Sequence, residues 1–446
     1  MLRQKRQRQK HITSFQIIIL GFLFIIGLGS LLLMLPFATK SGKSPAFSDA
    51  LFTATSAVCV TGLVVFDTAT YWSAFGQAVI LLLIQIGGMG IVTVAVSVAT
   101  LSGRKIGLMQ RSTMQESISA HHVGGIVRLT VLILKITASV ELMGVAMLMP
   151  IFCKEFGFLK GLWYSVFHSI SAFCNAGFDL MGTKGEFSSL TSYSSNPFLN
   201  IIIIILIVIG GVGFLTWEDI KNNKWKIRKY RMQSKVIILV TGVLIILPAI
   251  FFFFFEFSYL PLGERILCSF FHSVTPRTAG FNTVNMNILS DTGKMLTIVL
   301  MIIGGSPGST AGGMKTTTVA VLFSTAISVF RKKENVQMFK RRIVPEAIRN
   351  ACTVFLMYVS LFVLAGMIIS RVENLPILTS LFETASAIGT VGLTLGITPH
   401  LSVISQLILI GLMFFGRAGG LTIVFAAHTG TVTNISKYPQ EKITVG

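Results

Sequence analysis

The segment "FTATSAVCVTGL" at residues 52–63 decides the fold, because three further segments repeat its form. These are "FHSISAFCNAGF" at 167–178, "FHSVTPRTAGF" at 271–281 and "FETASAIGTVGL" at 382–393. Each begins with Phe, continues through small or hydroxyl residues and ends in Gly followed by Leu or Phe. The third copy is one residue shorter. One match would be noise, but four copies, closing at Gly62, Gly177, Gly280 and Gly392, indicate an internal repeat.

A hydrophobic run lies on each side of every copy. The preceding runs are residues 12–35, 127–152, 236–255 and 351–370, and the following runs are 75–101, 198–216, 295–330 and 401–426. Each run is long enough to cross a hydrocarbon core of about 30 Å, whereas the repeated segments are too short and only moderately apolar. This pattern is typical of a span, a helix that enters the membrane halfway, and a second span.

The sequence therefore predicts an all-α polytopic membrane protein with four tandem span–pore-helix–span repeats. Eight spans and four re-entrant loops would surround a central pore with pseudo-four-fold symmetry. The predicted repeats are residues 1–118 with a basic N-terminus, 119–232, 233–343, and 344–446 with the C-terminal tail.

Composition supports a membrane protein. The chain is 52% apolar and only 12% charged, with a mean hydropathy of +0.77, and soluble domains carry about 25% charged residues. The first hydrophobic run exceeds the roughly 7–15 residues of a signal-peptide core, so we expect a retained span. The five cysteines form no C-x-x-C pair and the seven histidines show no metal-ligand spacing, so neither a disulfide framework nor a transition-metal site is expected.

The net charge of +20 reflects topology rather than nucleic-acid binding. The basic stretches fall between the repeats, at 3–10, 104–128, 221–235 and 331–342. This sequence offers no soluble fold with a stripe of arginines that could bind nucleic acid. Basic loops on one side of a membrane follow the positive-inside rule. We therefore expect both termini and the loops between repeats to be cytoplasmic.

Four glycine-ended loops at membrane depth predict an ion pathway. Non-helical backbone survives there only where protein or water covers it, so the four loops must meet around a common axis. Glycine permits backbone conformations that turn carbonyl oxygens inward, and a ring of carbonyls replaces the hydration shell of a monovalent cation. A tight turn between two ordinary helices is the alternative for any single loop.

The four span–loop–span units, each with one glycine per loop, resemble the Trk/Ktr/HKT superfamily of potassium transporters. The resemblance covers nearly the whole chain and is greatest to the bacterial KtrB branch. It implies a K⁺ selectivity filter built from Val60, Thr61, Gly62, Asn175, Ala176, Gly177, Thr278, Ala279, Gly280, Thr390, Val391 and Gly392. Some plant members that favour Na⁺ have serine at the position of Gly62. Each loop lacks the second glycine of the T-V-G-Y-G signature, which predicts looser selectivity.

The segment "GGSPGSTAGGMK" at 304–315 interrupts the second span of repeat three. The equivalent segments "QIGGMGIVT" at 85–93, "VIGGVGFLT" at 208–216 and "FFGRAGGLT" at 414–422 are shorter. We interpret the expansion as an intramembrane gate, as the resemblance also implies. The predicted gate residues are Gly304, Gly305, Ser306, Pro307, Gly308, Ser309, Thr310, Ala311, Gly312, Gly313, Lys315 and Arg417.

Alternatives remain for the gate residues. The loop could be a plain helix break that packs closely on its neighbours, and Arg417 could be a structural cap for carbonyl groups. A phosphate loop is excluded because Met314 precedes Lys315 and no strand leads into the segment. An intramembrane arginine is otherwise a candidate functional residue.

The resemblance implies the cellular setting. It implies a homodimer in the lipid of the bacterial cytoplasmic membrane, resting on a cytosolic ring of KtrA-like nucleotide-binding subunits. K⁺ in the pore and Na⁺ as an activator are the expected ions, with no covalently bound cofactor and no nucleic acid. An alternating-access K⁺/Na⁺ symporter is the main alternative function. A membrane enzyme is disfavoured, because paired intramembrane carboxylates, H-E-x-x-H and G-x-S-x-G are lacking.

Overall fold

The computed structural model describes residues 13–101, 106–118 and 124–427, together with residues 439 and 441. The basic stretch 3–10, parts of 104–128 and most of the C-terminal tail lie outside the described residues, and so do both termini that the sequence places in the cytoplasm. Within the described ranges the chain is helical except for loops, isolated bridges and one hairpin, Gln337–Met338 with Arg341–Arg342.

The helices in chain order are α1 (Ser14–Leu33), α2 (Phe47–Val58), α3 (Ala74–Met89), α4 (Ile91–Leu101), α5 (Leu108–Ile118), α6 (Ile126–Phe156), α7 (Phe158–Phe173), α8 (Pro197–Val212), α9 (Phe214–Asn223), α10 (Met232–Phe251), α11 (Leu262–Val274), α12 (Asp291–Ile302), α13 (Thr316–Phe330), α14 (Pro345–Glu373), α15 (Ile377–Gly389), α16 (Val403–Ala418) and α17 (Gly420–Ala427). Short 3₁₀ turns connect several of them, and a π-helical turn at Phe252–Glu256 extends α10.

Four helices, α1, α6, α10 and α14, are long and apolar enough to cross a membrane without interruption. The first of them begins at a capping box, in which Thr13 and Gln16 each bind the other's backbone N–H group. Large apolar side chains such as Phe24 and Leu364 are exposed on these helices. A helix that remains apolar on its outward face is suited to contact lipid. Each of these helices is the first span of one repeat.

Four shorter helices, α2, α7, α11 and α15, follow the first spans and carry the repeated segments. They contain 12, 16, 13 and 13 residues, or about 18–24 Å, which is less than a membrane crossing. The Phe that opens each repeated segment is fully buried in the bundle: Phe52, Phe167, Phe271 and Phe382. Within a membrane such a side chain stabilises the fold by close packing against the neighbouring helices, which accounts for the Phe that opens each of the four copies.

The second spans of repeats one, two and four are sharply bent, although the sequence predicts continuous runs. The angle is 93° between α3 and α4, 96° between α8 and α9, and 92° between α16 and α17. Gly90, Gly213 and Gly419 lie at the bends with φ of 85°, 99° and 85°. A helix cannot continue through a residue with positive φ. Each of these second spans therefore changes direction sharply at its glycine.

Glycines just before the bends bring the second spans into backbone contact with the pore helices. A Cβ atom built on Gly87, Gly210 or Gly416 would lie within 3.0 Å of a backbone carbonyl oxygen, that of Val58, Phe173 or Ile388. These carbonyls are at the ends of α2, α7 and α15. Only glycine permits this approach. The three contacts fix the ends of α2, α7 and α15, from which the loops then depart.

In repeat three, residues 303–315 separate α12 from α13. The described chain thus has four uninterrupted spans, three bent helix pairs and one broken pair. These make eight spans with a short re-entrant helix inside each pair of spans. The predicted all-α architecture of four repeats is confirmed.

An acidic residue at the end of a first span caps the second span in repeats three and four. Glu256 accepts hydrogen bonds from the N–H and Oγ of Ser290, at 3.0 and 2.5 Å. Glu373 accepts them from the N–H and Oγ of Ser402 and from Ser405 Oγ, at 3.0, 2.5 and 2.5 Å. The same device thus ties the two spans together at the end where the pore helices begin.

Candidate functional site

Each pore helix ends in a triplet with the same alternating backbone. The first residues, Val60, Asn175, Thr278 and Thr390, have φ of 56°, 58°, 71° and 51°. The closing glycines, Gly62, Gly177, Gly280 and Gly392, have φ of 91°, 69°, 78° and 94°. The middle residues are not in the left-handed region. Alternation of hand turns successive N–H groups to one side of the strand and carbonyl groups to the other.

The N–H groups of the triplets turn back toward the pore helices. The middle residue of each triplet donates to the carbonyl oxygen of a hydroxyl residue in the preceding segment: Thr61 to Ser56, Ala176 to Ser171 and Val391 to Ser386 at 2.8 Å, and Ala279 to Thr275 at 2.9 Å. Gly62 and Gly392 also donate to the side chains of Ser56 and Ser386, at 3.1 and 3.0 Å. The carbonyls therefore point the other way.

These four hydroxyl residues were not among the predicted site residues. Ser171 and Thr275 donate their hydroxyl hydrogens to the carbonyls of Phe178 and Phe281, just after the triplets. The signal was present in the sequence, because every repeated segment contains a Ser or Thr shortly before its triplet. Such residues compete well for local backbone groups at helix ends.

The four triplets close into a ring. A Cβ atom on Gly62 would lie within 3.0 Å of Ala176 O, one on Gly177 of Ala279 O, one on Gly280 of Val391 O, and one on Gly392 of Thr61 O. Each glycine thus contacts the next repeat, and the fourth contacts the first. We call the end formed by the glycines the outer end of the ring, and the end formed by the first residues the inner end.

The ring leaves its oxygen atoms free. None of the twelve triplet carbonyls accepts a hydrogen bond from another described residue. The hydroxyl oxygens of Thr61 and Thr390 are buried without a partner in the same part of the chain. Buried carbonyls without donors are rare in proteins. A ring of such oxygens matches the coordination that a dehydrated K⁺ ion requires, so the residues fit the predicted cargo.

A cavity of about 150 Å³ lies at the outer end of the ring. All four closing glycines line it, together with Asp67 and Asp179. The carboxylate of Asp67 accepts hydrogen bonds from the N–H groups of Ala69 and Phe187, both at 3.0 Å. It thus joins the segment after the first triplet to the second repeat. The carboxylate of Asp67 makes this cavity favourable for cations.

The segment 304–315 lies against the inner end of the ring. A Cβ atom on Gly312 would lie within 3.0 Å of the Thr390 side chain, and one on Gly313 within 3.0 Å of Gly389 O. The N–H of Gly313 donates to Gly416 O at 3.2 Å. The segment therefore passes from its own repeat to the underside of the fourth triplet.

The tip of the segment is bound to repeat two. Ser306 N–H donates to Gly211 O at 3.1 Å, and Phe214 N–H donates to Gly308 O at 2.5 Å. Thr310 donates through its N–H to Gly210 O at 3.3 Å and through its hydroxyl to Phe173 O at 3.0 Å. These partners are at the end of α7 and at the bend between α8 and α9.

Arg417 joins the segment to repeat one. Its guanidinium donates to the carbonyl oxygens of Thr310 and Gly87, and to that of Gly88 at 3.0 Å. Lys315 donates to the carbonyls of Ala311 and Gly312, at 2.9 and 3.3 Å. A cavity of about 280 Å³ lies beyond, lined by both cationic residues. The structure thus places the twelve predicted filter residues in one ring and the predicted gate residues at or near its inner end.

Comparison with known proteins agrees with this arrangement. The family model TrkH, described as a cation transport protein, matches residues 2–435. Potassium/sodium uptake protein NtpJ of Enterococcus hirae is 40% identical, covering 99% of this chain and 99% of that protein. Ktr system potassium uptake protein B of Bacillus subtilis is 37% identical, covering 97% of both chains. The protein of that name from Vibrio alginolyticus is 32% identical, covering 97% of this chain and 94% of its own.

The fold is also found in a solved structure, the potassium transporter TrkH from Vibrio parahaemolyticus. The TM-score is 0.74 at 19% identity, covering 96% of this chain and 87% of that chain. This similarity establishes a shared architecture, while the family model and the relatives above 30% identity establish kinship. The protein is therefore a member of the TrkH family of cation transport proteins, within the superfamily that its four glycine-ended loops resemble.

Proposed function

We propose that the protein is the ion-conducting membrane subunit of a Ktr-type potassium uptake system. The observation that carries the proposal is the ring of twelve triplet carbonyls that accept no hydrogen bond from the residues that the structure describes. Carbonyl dipoles that face a narrow axis replace the water around K⁺. The pore helices also end at the triplets, and the negative end of a helix dipole favours a cation. Relatives with potassium uptake in their names support the same cargo.

The segment 304–315 serves as the gate in this proposal. It occupies the inner end of the ring and is held by repeats two and four and by Arg417. Release of these hydrogen bonds would let the segment swing away from the path. Its glycines and small hydroxyl residues suit such a movement, because they leave little side-chain volume to displace.

The protein lies in the bacterial cytoplasmic membrane in this proposal, with both termini in the cytoplasm. The basic stretches between repeats favour that orientation. A homodimer and a cytosolic nucleotide-binding ring of KtrA-like subunits would control the gate. The word "system" in the names of three relatives supports a multi-component assembly. Na⁺ acts as an activator in this proposal, and the name of the Enterococcus hirae relative includes sodium.

Uptake of radioactive Rb⁺ into liposomes that contain the purified protein tests the function. A K⁺ gradient drives uptake, and K⁺ and Na⁺ are added as competitors. We expect saturable uptake that K⁺ inhibits far better than Na⁺, with or without a Na⁺ gradient. Uptake that requires an inward Na⁺ gradient would favour a symporter. If neither wild-type protein nor a variant with a shortened gate segment transports Rb⁺, the conduction proposal is wrong.

Replacement of Arg417 by Ala is expected to raise uptake by the isolated protein about tenfold. The change removes three hydrogen bonds, one to Thr310 O of the segment and two to Gly87 O and Gly88 O of repeat one. Hydrogen bonds to charged groups contribute about 1.5–3 kcal/mol each, and about 1.4 kcal/mol corresponds to a tenfold shift in an equilibrium.

The variant Arg417→Lys distinguishes the effect of the positive charge from the effect of the hydrogen bonds that link two repeats. Lysine keeps the positive charge but lacks the planar group that reaches two repeats at once. We expect Arg417→Lys to resemble Arg417→Ala, which would indicate bridging. Wild-type uptake by a folded Arg417→Ala protein would remove this residue from the gate.

A further inference from the structure

The residue after the opening Phe varies among the repeats, and only repeats two and three share it. These residues are Thr53, His168, His272 and Glu383, all buried. Thr53 bonds within its own helix, to Asp49 O, and His272 contacts Thr297 of α12 at 3.1 Å. In repeats two and four, by contrast, the residue binds the segment that leaves the ring.

Glu383 is a buried carboxylate without a cationic partner among the described residues. Its exposed fraction is 0%, and none of the four ion pairs in that part of the chain includes it. A buried charge is strongly unfavourable unless hydrogen bonds compensate it. Glutamate at this position therefore requires specific partners, and an apolar residue would be the simpler choice for packing alone.

The partners are two threonines just beyond the fourth triplet. Thr394 Oγ1 donates to one carboxylate oxygen at 2.9 Å, and Thr398 Oγ1 donates to the other. Thr394 also accepts the N–H of Gly396 at 3.0 Å. Thr394 and Gly396 line the cavity at the outer end, beside Gly392. The carboxyl group of Glu383 thus holds in place the segment that lines this cavity.

Repeat two has a weaker version of this contact. His168 Nδ1 lies 2.7 Å from Tyr164 O, and its Nε2 accepts the N–H of Leu180 at 3.4 Å. Because each triplet contacts the next repeat in order, repeats two and four face each other across the ring. The two opposite segments are therefore held by ionisable side chains from the same position, and only that of repeat four makes two hydrogen bonds to its segment.

We infer that Glu383 is a positioning residue for ion selection, acting through Thr394 and Thr398 on the outer end of the fourth triplet. This inference rests on the proposed K⁺ conduction. Both hydrogen bonds from these threonines tie the carboxyl group of Glu383 to the segment that follows the fourth triplet, so Glu383 restricts the movement of the carbonyls of Val391 and Gly392. The number, field strength and separation of the carbonyl groups set the choice between K⁺ and the smaller Na⁺, so a less constrained fourth triplet should discriminate less.

The test compares Glu383→Gln, Thr398→Val and the double variant in the liposome assay. Glu383→Gln keeps the shape and removes the charge, while Thr398→Val removes one donor. We expect each single change to raise the half-saturating K⁺ concentration and to lower the preference for K⁺ over Na⁺ by roughly fivefold. The double variant should show the same loss of K⁺ preference as the more affected single variant, because both substitutions disrupt one contact.

Glu373→Gln is the matched control. Glu373 is in the same repeat and also accepts hydrogen bonds from hydroxyl groups, but at the end of α14 rather than beside the ring. We expect wild-type ion preference from this variant. A purely structural role for Glu383 would lower the amount of active protein and leave the half-saturating concentration and the ion preference unchanged.

A second readout does not depend on transport. K⁺ that binds the folded protein raises its melting temperature in detergent, at constant ionic strength adjusted with choline. The midpoint of this K⁺ titration should shift with Glu383→Gln and, if that variant does not fold, with Thr398→Val. If these variants keep the wild-type midpoint and the wild-type ion preference, the inference about Glu383 is wrong while the proposed function is unaffected. A wild-type protein without K⁺ preference in either assay would overturn the proposed function and this inference with it.

Discussion

K⁺ flux through the isolated protein is expected to rise at least about tenfold when Gly-Gly replaces residues 306–310. The replaced tip makes four hydrogen bonds to repeat two and accepts one from Arg417. Each neutral hydrogen bond contributes a net 0.5–1.5 kcal/mol or so, and about 1.4 kcal/mol corresponds to tenfold. Loss of the whole tip should therefore shift a closed gate strongly toward the open state.

The geometry of the segment makes this shortening feasible. A Cβ atom on Gly305 would lie within 3.0 Å of the Cβ of Ala311. The two backbones are therefore close enough for a four-residue turn, which needs a Cα separation below about 7 Å. Gly305, two inserted glycines and Ala311 would form that turn, and the base of the segment would keep its place between α12 and α13.

Ser309→Ala is the control for the shortened segment. Ser309 Oγ bonds only to Ser306 O, inside the segment, among the hydrogen bonds of the described residues. Rb⁺ uptake by this variant should equal that of the wild type. Unchanged or lower uptake by the shortened protein, shown to be folded by its elution as a single species, would mean that the segment does not close the path.

Gly62→Ser is expected to lower the preference for K⁺ over Na⁺ at least about tenfold. Gly62 has a φ of 91°, and a Cβ atom there would lie within 3.0 Å of Ala176 O in the next repeat. A left-handed conformation costs a non-glycine residue about 1–2 kcal/mol, and the contact adds a steric cost. The serine must therefore displace the neighbouring carbonyl, and every repeat in the ring is linked to the next.

Gly42→Ser separates backbone strain from contact within the ring. Gly42 has a φ of 69°, and no atom lies within 4 Å of a Cβ atom built there. Serine at this position should reduce stability slightly and leave ion preference unchanged. The measurement is Rb⁺ uptake with K⁺ or Na⁺ as competitor. Equal competition curves for Gly62→Ser and the wild type would contradict the assignment of the first triplet to the filter.

The position of the hydroxyl residues shows where reasoning from the sequence stopped short. Four similar segments predict four equivalent loops, and the glycines mark where each loop ends. Ser56 and Ser386 were visible as members of the pattern, but their role depends on which N–H groups turn toward them. That direction follows from the alternating φ values, which residue identity does not specify for Val60 or Thr390.

The bends of the second spans were missed for a related reason. The segment 85–93 contains three glycines, and Gly87 and Gly88 stay helical while Gly90 has positive φ. Glycine is compatible with both conformations. The packing of Gly87 on Val58 O fixes the helix up to that point, and no hydropathy pattern contains this information.

The sequence by itself determined the class of protein, the number of repeats, the four loops and the family. All of these follow from local composition and from similarity between segments of one chain, which need no knowledge of distant contacts. Only the tertiary structure decided that the loops close in cyclic order and that Arg417 joins Thr310 to Gly87. It also decided that Glu383 binds Thr394 beside the cavity at the outer end of the ring. These residues are far apart in the chain, and their contacts arise only when backbone packing between repeats places them within hydrogen-bonding distance.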